Sequence, residues 1–233
     1  MTDAWSRRQF SVHEEMDAPA VDPLALRRAL MFIRRVNRWL GYTRATLSHF
    51  DAATRDWPPG RALRVLDVAT GSADVPEALR NWAKKRLISL DVVGLDLHAA
   101  TLAVAAAEVA GVALVRGDAL SLPFEDRTFD IVTSSMFLHH LPTPLAEAAL
   151  REMKRVASHQ VIVADLLRSR RAYGWITLFT LPTGPLVRHD ARVSVKQAFT
   201  IEEMQSLAAS AGFDRATVHR HAGHRFVMTA AVS

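Results

Sequence analysis

The sequence predicts an α/β protein with a doubly wound, mostly parallel sheet and an antiparallel last strand. From residue 61 onward, apolar runs with strand spacing alternate with segments of helical spacing, the rhythm of right-handed strand–helix–strand crossovers. Hydrophobic residues make up 49% of the 233 residues, enough to fill a core. The predicted strands cover residues 64–68, 89–96, 113–116, 131–134 and 160–165, and the helices between them cover 75–85, 98–110 and 145–156.

The first 58 residues precede this sheet and are expected to form an N-terminal helical cap. Residues 1–21 mix charged and polar side chains without periodicity, which predicts a flap or partial disorder. Pro23 opens a helix that Gly41 ends, and a second helix covers residues 43–53. A Pro-Pro-Gly turn follows. We therefore expect a cap over the first 58 residues and a sheet domain over residues 59–233.

The last third of the chain departs from the alternation. Residues 200–203 form a capping box for a helix that Gly212 ends. Two β-prone segments, 215–219 and 225–231, follow and predict a hairpin that supplies the antiparallel last strand. Residues 166–199 are rich in aromatic residues and proline, and they are predicted to form a helix plus a lid loop over the site.

The composition excludes several classes of protein. The chain has no cysteine, so disulfides and thiolate metal sites are excluded, which fits a cytoplasmic location. We see no secretory signal, and the longest apolar stretch is interrupted by proline and too short for a transmembrane segment. The net charge of +5 suggests nucleic-acid binding. Because the basic residues are mostly scattered arginines, we expect no nucleic-acid partner.

The segment 63–74 is the most informative part of the chain. An apolar run ends in Asp67, bends through small residues to Asp74, and enters a helix, as in a nucleotide-cofactor site. A pyrophosphate would need bare glycines there, and two carboxylates would repel it, which argues against a nicotinamide dehydrogenase. The carboxylates suit a cofactor with an ammonium group. Asp96, at the end of the next strand, is placed to bind a ribose diol. S-adenosylmethionine satisfies both demands, although each acid could instead simply cap a turn.

Further motifs complete a pattern with a family likeness. Asp118 follows the third strand, and the fourth strand leads into a segment that contains His139 and His140. Together with the turn at 63–74, these motifs resemble the class I S-adenosylmethionine-dependent methyltransferases and their Rossmann-like sheet. The likeness is strongest to small-molecule methyltransferases of quinone and polyketide biosynthesis, and it covers residues 61–165 well.

The resemblance implies which residues hold the cofactor. Gly71 and the backbone of Ala69 and Thr70 would meet its methionine portion, and Asp67 would hold the ammonium. Asp96 would accept from the ribose hydroxyls. The adenine and the pocket near the sulfonium would be met by Leu97, Asp118, Ala119, Ser134, Ser135 and Met136. Ala73 departs from the glycine found in many relatives.

Methyl transfer to a phenol would need a base near the cofactor. The transfer is an in-line displacement, so the protein mainly aligns the reactants, and a histidine suits any proton removal near neutral pH. The candidates are His139, His140 and His189, with Asp165 at the same end of the sheet. Adjacent residues at a helix start point about 100° apart, so we expect only one of the two neighbouring histidines near the cofactor. We predict no metal site.

Apolar residues of the lid and the cap predict an aromatic or lipophilic small-molecule acceptor. Those residues are Trp175, Leu178, Phe179, Leu181 and Pro182 in the lid, and Phe32, Val36 and Trp39 in the cap. An ionised acceptor would be steadied by Arg168 or Arg192. The predicted activity is S-adenosylmethionine-dependent methylation of a phenolic or quinone-like molecule, on oxygen rather than carbon. The alternatives are an RNA methyltransferase and a non-catalytic binding protein with this fold; a homo-oligomer is left open.

Overall fold

The structure is a computed structural model that describes residues 5, 7–10, 22–39, 41–181 and 183–232. Most of the predicted flap and Pro182 lie outside the described residues. The strands are β1 Leu63–Val68, β2 Leu90–Asp96, β3 Ala113–Arg116, β4 Phe129–Ser135, β5 Ala157–Leu166, β6 Ala216–His221 and β7 Arg225–Ala231. The helices are α1 Pro23–Trp39, α2 Tyr42–Ala53, α3 Asp74–Arg86, α4 Ala99–Glu108, α5 Thr143–Val156, α6 Arg170–Phe179, α7 Pro185–Gln197 and α8 Ile201–Ser210.

The seven strands form one sheet in the order β3-β2-β1-β4-β5-β7-β6. β1 pairs in parallel with β2 and β4, and β5 pairs in parallel with β4 and antiparallel with β7. The predicted fold class is therefore confirmed, including the antiparallel last strand. The chain reverses its direction of winding between β1 and β4, and the carboxyl ends of such strands frame the ligand crevice of open α/β sheets.

Helices cover both faces of the sheet. Leu66 of β1 and Val132 of β4 pack with residues of α5 and α8 on one face. Val65 of β1 packs on the other face with Phe50 of α2 and Trp82 of α3. Because both faces are covered, burial does not alternate along these strands: β1 is buried except at Arg64, and β4 is buried up to Ser134.

The two N-terminal helices take part in this packing. Phe50 of α2 is fully buried, while α1 is tied to the sheet domain by ion pairs of 2.6 Å, Arg34 with Glu77 and Arg27 with Glu108. The division of the chain at residue 59 stays a prediction. None of the helices in the described part of the chain combines the length and the apolar character that a bilayer span requires.

The predicted lid loop within residues 166–199 is wrong, because this segment forms two helices. The hydroxyl of Ser169 caps α6 by accepting a hydrogen bond from the backbone N–H of Ala172 at 3.0 Å. Pro185 lies at the start of α7. Proline in the first turn lacks only an N–H that the helix leaves unpaired, so a residue interpreted as a loop signal begins a helix instead.

An ion pair between the buried Arg168 and the partly exposed Glu203 joins the end of β5 to the start of α8. The Arg168 guanidinium donates to both carboxylate oxygens of Glu203, at 2.6 and 2.7 Å, and its side chain is only 2% exposed. Glu203 also completes the capping box with Thr200. Arg168 is therefore committed to the fold, which leaves it poorly suited to the predicted role of steadying an acceptor.

We expect the substitution Glu203→Gln to lower the free energy of unfolding by about 2 kcal/mol, because it leaves the buried guanidinium without a counter-charge. Urea denaturation measures the change. The double variant Arg168→Met/Glu203→Gln is the control, since removing both charges should recover part of the loss. Equal losses in the single and the double variant would contradict this account.

Candidate active site

A cavity of about 630 Å³ opens at the carboxyl ends of β1, β2 and β4. Its walls come from the loops that follow these strands and from α1, α6 and α7. It therefore lies where the strand order reverses, the position at which open α/β sheets bind ligands.

The turn after β1 has an uncommon backbone. Ala69 and Ala73 have φ of 57° and 56°, and Gly71 has φ of 54°. Residues with side chains rarely adopt this left-handed region, and such conformations concentrate at functional sites. A Cβ atom at Gly71 would meet no atom within 4 Å, so this part of the turn faces open space. The small side chain of Ala73, the departure from glycine, is accommodated and fully buried.

Asp67 lies directly behind this turn and is 2% exposed. Its Oδ2 accepts a hydrogen bond from the Thr70 hydroxyl at 2.6 Å, while its buried Oδ1 has no hydrogen-bond partner among the described residues. Burial and, to a smaller extent, the charges of Asp74 and Asp96 raise the pKa of Asp67 to about 8, although the hydrogen bond from Thr70 lowers it. A cation bound here would relieve this crowding of carboxylates.

Asp96 links the second strand to the same turn. Its Oδ2 accepts from the backbone N–H of Gly71 and its Oδ1 from that of His98, both at 3.0 Å. Burial raises the pKa of Asp96. Asp118 is different, because it is exposed and its Oδ1 accepts from the backbone N–H of Leu120 at 2.9 Å.

These residues suit S-adenosylmethionine. The Oδ1 atom of Asp67, which has no hydrogen-bond partner among the described residues, and the carboxylates around it favour a positively charged ammonium group. The open space at Gly71 leaves room for the amino-acid portion of the cofactor. Most of the predicted cofactor residues line the cavity, namely Ala69, Thr70, Gly71, Asp96, Leu97, Asp118, Ala119 and Ser135. Asp67 and Ser134 lie behind its wall. Ser134 donates to the carbonyl oxygen of Val68 at 2.9 Å and so ties β4 to β1.

His139 and Asp165 form a buried dyad at the cavity. His139 lies in the short 3-10 turn Leu138–His140 after β4, and Asp165 lies near the end of β5. The Nδ1 atom of His139 is 2.6 Å from Asp165 Oδ1, and the backbone N–H of His139 donates to Oδ2 at 3.1 Å. Burial alone would raise the pKa of Asp165, but the facing His139 and its hydrogen bond hold it below its usual range. Since an ionised carboxylate only accepts, Nδ1 carries the hydrogen and Nε2 is the atom that would take a proton.

The other two predicted histidines occupy different places. His140 lines the cavity with His139, and their ring centroids are 4.2 Å apart. Both histidines therefore line the cavity, and the expectation that only one of them lies near the cofactor stays a prediction. His189 is 40% exposed on α7 and pairs with Asp190 at 3.0 Å. Asp190 lines the cavity, whereas His189 does not.

The part of the cavity beyond the turn is mostly apolar. The apolar side chains come from the helices above the sheet: Leu30, Phe32, Ile33 and Val36 of α1, Trp175, Ile176 and Phe179 of α6, and Val187 and Val195 of α7. Trp39, Leu178 and Leu181, which the sequence placed in the same surface, are exposed instead. Within the described residues, no cluster of histidines and acids is arranged to hold a metal ion.

Arg8 contacts the short turn Leu138–His140 through hydrogen bonds to its backbone. Its guanidinium donates to the carbonyl oxygen of His139 at 3.0 Å and to that of Gln197 at 2.5 Å, and it lies 3.5 Å from the ring centroid of Phe199. Burial lowers the pKa of Arg8 to about 10. Sequence reasoning missed Arg8 and also Tyr42, which lines the cavity. No local motif marks either residue, since both reach the site through packing between distant segments.

Comparisons with known proteins agree with this geometry. A methyltransferase domain family matches residues 65–160. A demethylmenaquinone methyltransferase of Thermotoga maritima is 32% identical over 124 residues, which are 52% of this chain and 52% of that protein. A ubiquinone/menaquinone biosynthesis C-methyltransferase of Pseudomonas paraeruginosa is 29% identical over 180 residues, which are 69% of this chain and 68% of that protein.

Solved structures show the same fold. Human N-acetylserotonin methyltransferase in complex with S-adenosylmethionine matches with a TM-score of 0.66 and 14% identity, over 90% of this chain and 56% of that one. Among the curated relatives, the chain spans 38–52% of the length of the demethylmenaquinone methyltransferases from Roseiflexus castenholzii and Thermotoga maritima.

Proposed function

Since the chain belongs to the class I S-adenosylmethionine-dependent methyltransferases, we propose that it methylates a lipophilic, ring-hydroxylated small molecule. The observation that carries this proposal is the His139–Asp165 dyad, whose histidine lines a cavity that is mostly apolar beyond the turn after β1. An apolar cavity selects a lipophilic acceptor, and a histidine held by a carboxylate is suited to removing one proton from it.

The chain's own residues orient the reactants and move one proton. S-adenosylmethionine, when bound, supplies a methyl group that is activated by positively charged sulfur. Asp67 and Asp96 would hold its ammonium and its ribose at the turn after β1. His139 Nε2 would take the proton of the acceptor hydroxyl, and Asp165 would stabilise the imidazolium that results. The deprotonated acceptor would then be held in line with that methyl group, which the cofactor would give up as S-adenosylhomocysteine forms, and His139 would return its proton to water.

Oxygen is the accepting atom that this scheme favours, because the atom that loses the proton is then the nucleophile. Carbon is the second candidate. A phenolate also carries negative charge on the ring carbon next to its oxygen, and the curated relatives include a C-methyltransferase. Both reactions begin with the same proton removal, so the dyad serves either of them.

Incubation with methyl-deuterated S-adenosylmethionine and a panel of acceptors tests the function. The panel contains a prenylated hydroquinone, simple phenols, fatty acids and RNA, and mass spectrometry detects the label. We expect label only in the hydroquinone or the phenols, and the carbon NMR shift of the new methyl group separates O- from C-methylation. Label in RNA alone, or cofactor binding without transfer to any acceptor, would overturn the proposal in favour of its two alternatives.

We expect Asp67 to make cofactor binding depend on pH. Its pKa of about 8 leaves the carboxyl protonated at lower pH, whereas a bound ammonium favours the ionised form. The affinity for S-adenosylhomocysteine should therefore rise between about pH 6 and pH 7.5, by at most about tenfold per pH unit. Isothermal titration calorimetry measures this slope.

The substitution Asp67→Asn should flatten the slope while preserving the shape of the side chain. The matched control is Asp118→Asn, which removes an exposed carboxylate that lines the same cavity and should leave the slope in place. An unchanged slope in Asp67→Asn would show that Asp67 does not hold the ammonium.

A further inference from the structure

Arg225, the first residue of β7, is a buried cation that forms no ion pair with any described residue. It is 1% exposed, and its Nε and Nη2 atoms are buried without a hydrogen bond. Within the described residues no carboxylate pairs with it, in contrast to Arg168 with Glu203. Its guanidinium carbon lies 3.7 Å from the ring centroid of Tyr42, a cation–π contact.

Two glycines bring the backbone up to this guanidinium. Gly223 has φ of 80°, and a Cβ atom there would overlap Nη2 of Arg225. A Cβ atom at Gly41 would lie 3.8 Å from Nη1. Because Tyr42 and Gly223 both line the cavity, the guanidinium lies directly behind the cavity wall.

Tyr42 lies between the Arg225 guanidinium and the cavity, and its neutral hydroxyl is a hydrogen-bond donor. It is 4% exposed, lines the cavity, and its hydroxyl forms no hydrogen bond with any described residue. Burial raises the pKa of Tyr42, partly offset by the charge of Arg225, so the hydroxyl keeps its proton. A buried cation without a counter-ion is unfavourable, and the ring face of Tyr42 compensates it only in part.

We propose that Tyr42 and Arg225 form an oxyanion site for the acceptor, in which the Tyr42 hydroxyl donates to the acceptor's ionised ring oxygen and Arg225 balances its charge from behind. This inference rests on the proposed function for the class of acceptor. Tyr42 touches the substrate, whereas Arg225 is a positioning residue that acts through Tyr42.

The site and the base share one cavity. Tyr42 and His139 line the same cavity, and the charge of Asp165 acts on both. The acceptor hydroxyl would therefore pass its proton to His139, and the resulting ring oxygen would accept a hydrogen bond from the Tyr42 hydroxyl. Further titratable side chains that line this end of the cavity are His140, Asp190 and His224. The carboxylates of Asp165 and Asp190 oppose an anion, but each is paired with a histidine.

A coloured phenol tests the site without methyl transfer. The probe is a 2-alkyl-4-nitrophenol, whose phenolate absorbs visible light, titrated with the full chain saturated with S-adenosylhomocysteine. We expect the pKa of the bound probe to lie about one to two pH units below its value in water. In Tyr42→Phe and in Arg225→Met most of that shift should disappear.

The matched control is Tyr173→Phe, since Tyr173 is the other tyrosine of the chain and does not line the cavity. It should keep the full shift. Thermal melting reports folding, and if Arg225→Met does not fold, Tyr42→Phe alone decides, because it removes only an oxygen atom without a hydrogen bond in the described chain. Failure of the probe to bind, an unshifted pKa, or a shift that survives in Tyr42→Phe overturns the inference. A normal shift in a chain that methylates nothing overturns the proposed function and leaves the oxyanion site standing.

Discussion

Replacing Asp165 by asparagine is expected to lower kcat by about four orders of magnitude, the size of loss seen when the carboxylate that orients a catalytic histidine becomes an amide. Asp165 is fully buried and accepts hydrogen bonds from His139 Nδ1 and from the backbone N–H groups of His139 and Leu166. An amide would present a donor to Nδ1 and move the ring hydrogen to Nε2, which could then no longer take a proton from the acceptor. Steady-state kinetics with the acceptor found by screening measures the loss.

Two further variants make this prediction sharper. His139→Ala should lose about as much activity as Asp165→Asn, and the double variant should lose little more, because the two residues act as a unit. The residual rate of His139→Ala should rise with pH, as the acceptor hydroxyl ionises without help. The matched control is His189→Ala, which removes a histidine outside the cavity wall and should leave kcat nearly unchanged. If His189→Ala were the damaging variant, the base would have been assigned to the wrong residue.

Replacing Asp96 by alanine is expected to weaken binding of S-adenosylhomocysteine by about 100-fold or more. A hydrogen bond from a ribose hydroxyl to a charged acceptor is worth about 1.5–3 kcal/mol, and two such bonds are lost when the carboxylate is removed. The substitution also removes the acceptor for the backbone N–H groups of Gly71 and His98, so the turn itself should loosen. Isothermal titration calorimetry measures the affinity.

Asp96→Asn and Asp118→Ala serve as comparisons. The asparagine keeps an acceptor oxygen without the charge and should lie between wild type and Asp96→Ala. Asp118 is exposed and bonds mainly to its own loop, so Asp118→Ala should weaken binding by less than about tenfold, the value of one neutral hydrogen bond. Wild-type affinity in Asp96→Ala, with an unchanged melting temperature, would remove Asp96 from the cofactor site.

Local sequence patterns predicted most of the fold. Apolar runs predicted the strands of the parallel sheet, and the structure places β1 to β5 within a few residues of the expected bounds. The failure at Pro185 has a physical origin. A proline in the interior of a helix breaks it, whereas a proline in the first turn is favoured. The same residue type is therefore compatible with a lid loop and with the start of α7.

The sequence by itself determined the cofactor side of this protein. Asp67, Gly71 and Asp96 lie at strand ends within one strand–helix–strand unit, where local chain geometry and charge are enough to indicate the ligand. Only the tertiary structure decided the acceptor side. It paired His139 with Asp165 and brought Tyr42 against Arg225, from opposite ends of the chain. Burial and unpaired charge arise only when distant segments pack together, so no local pattern in the sequence records them.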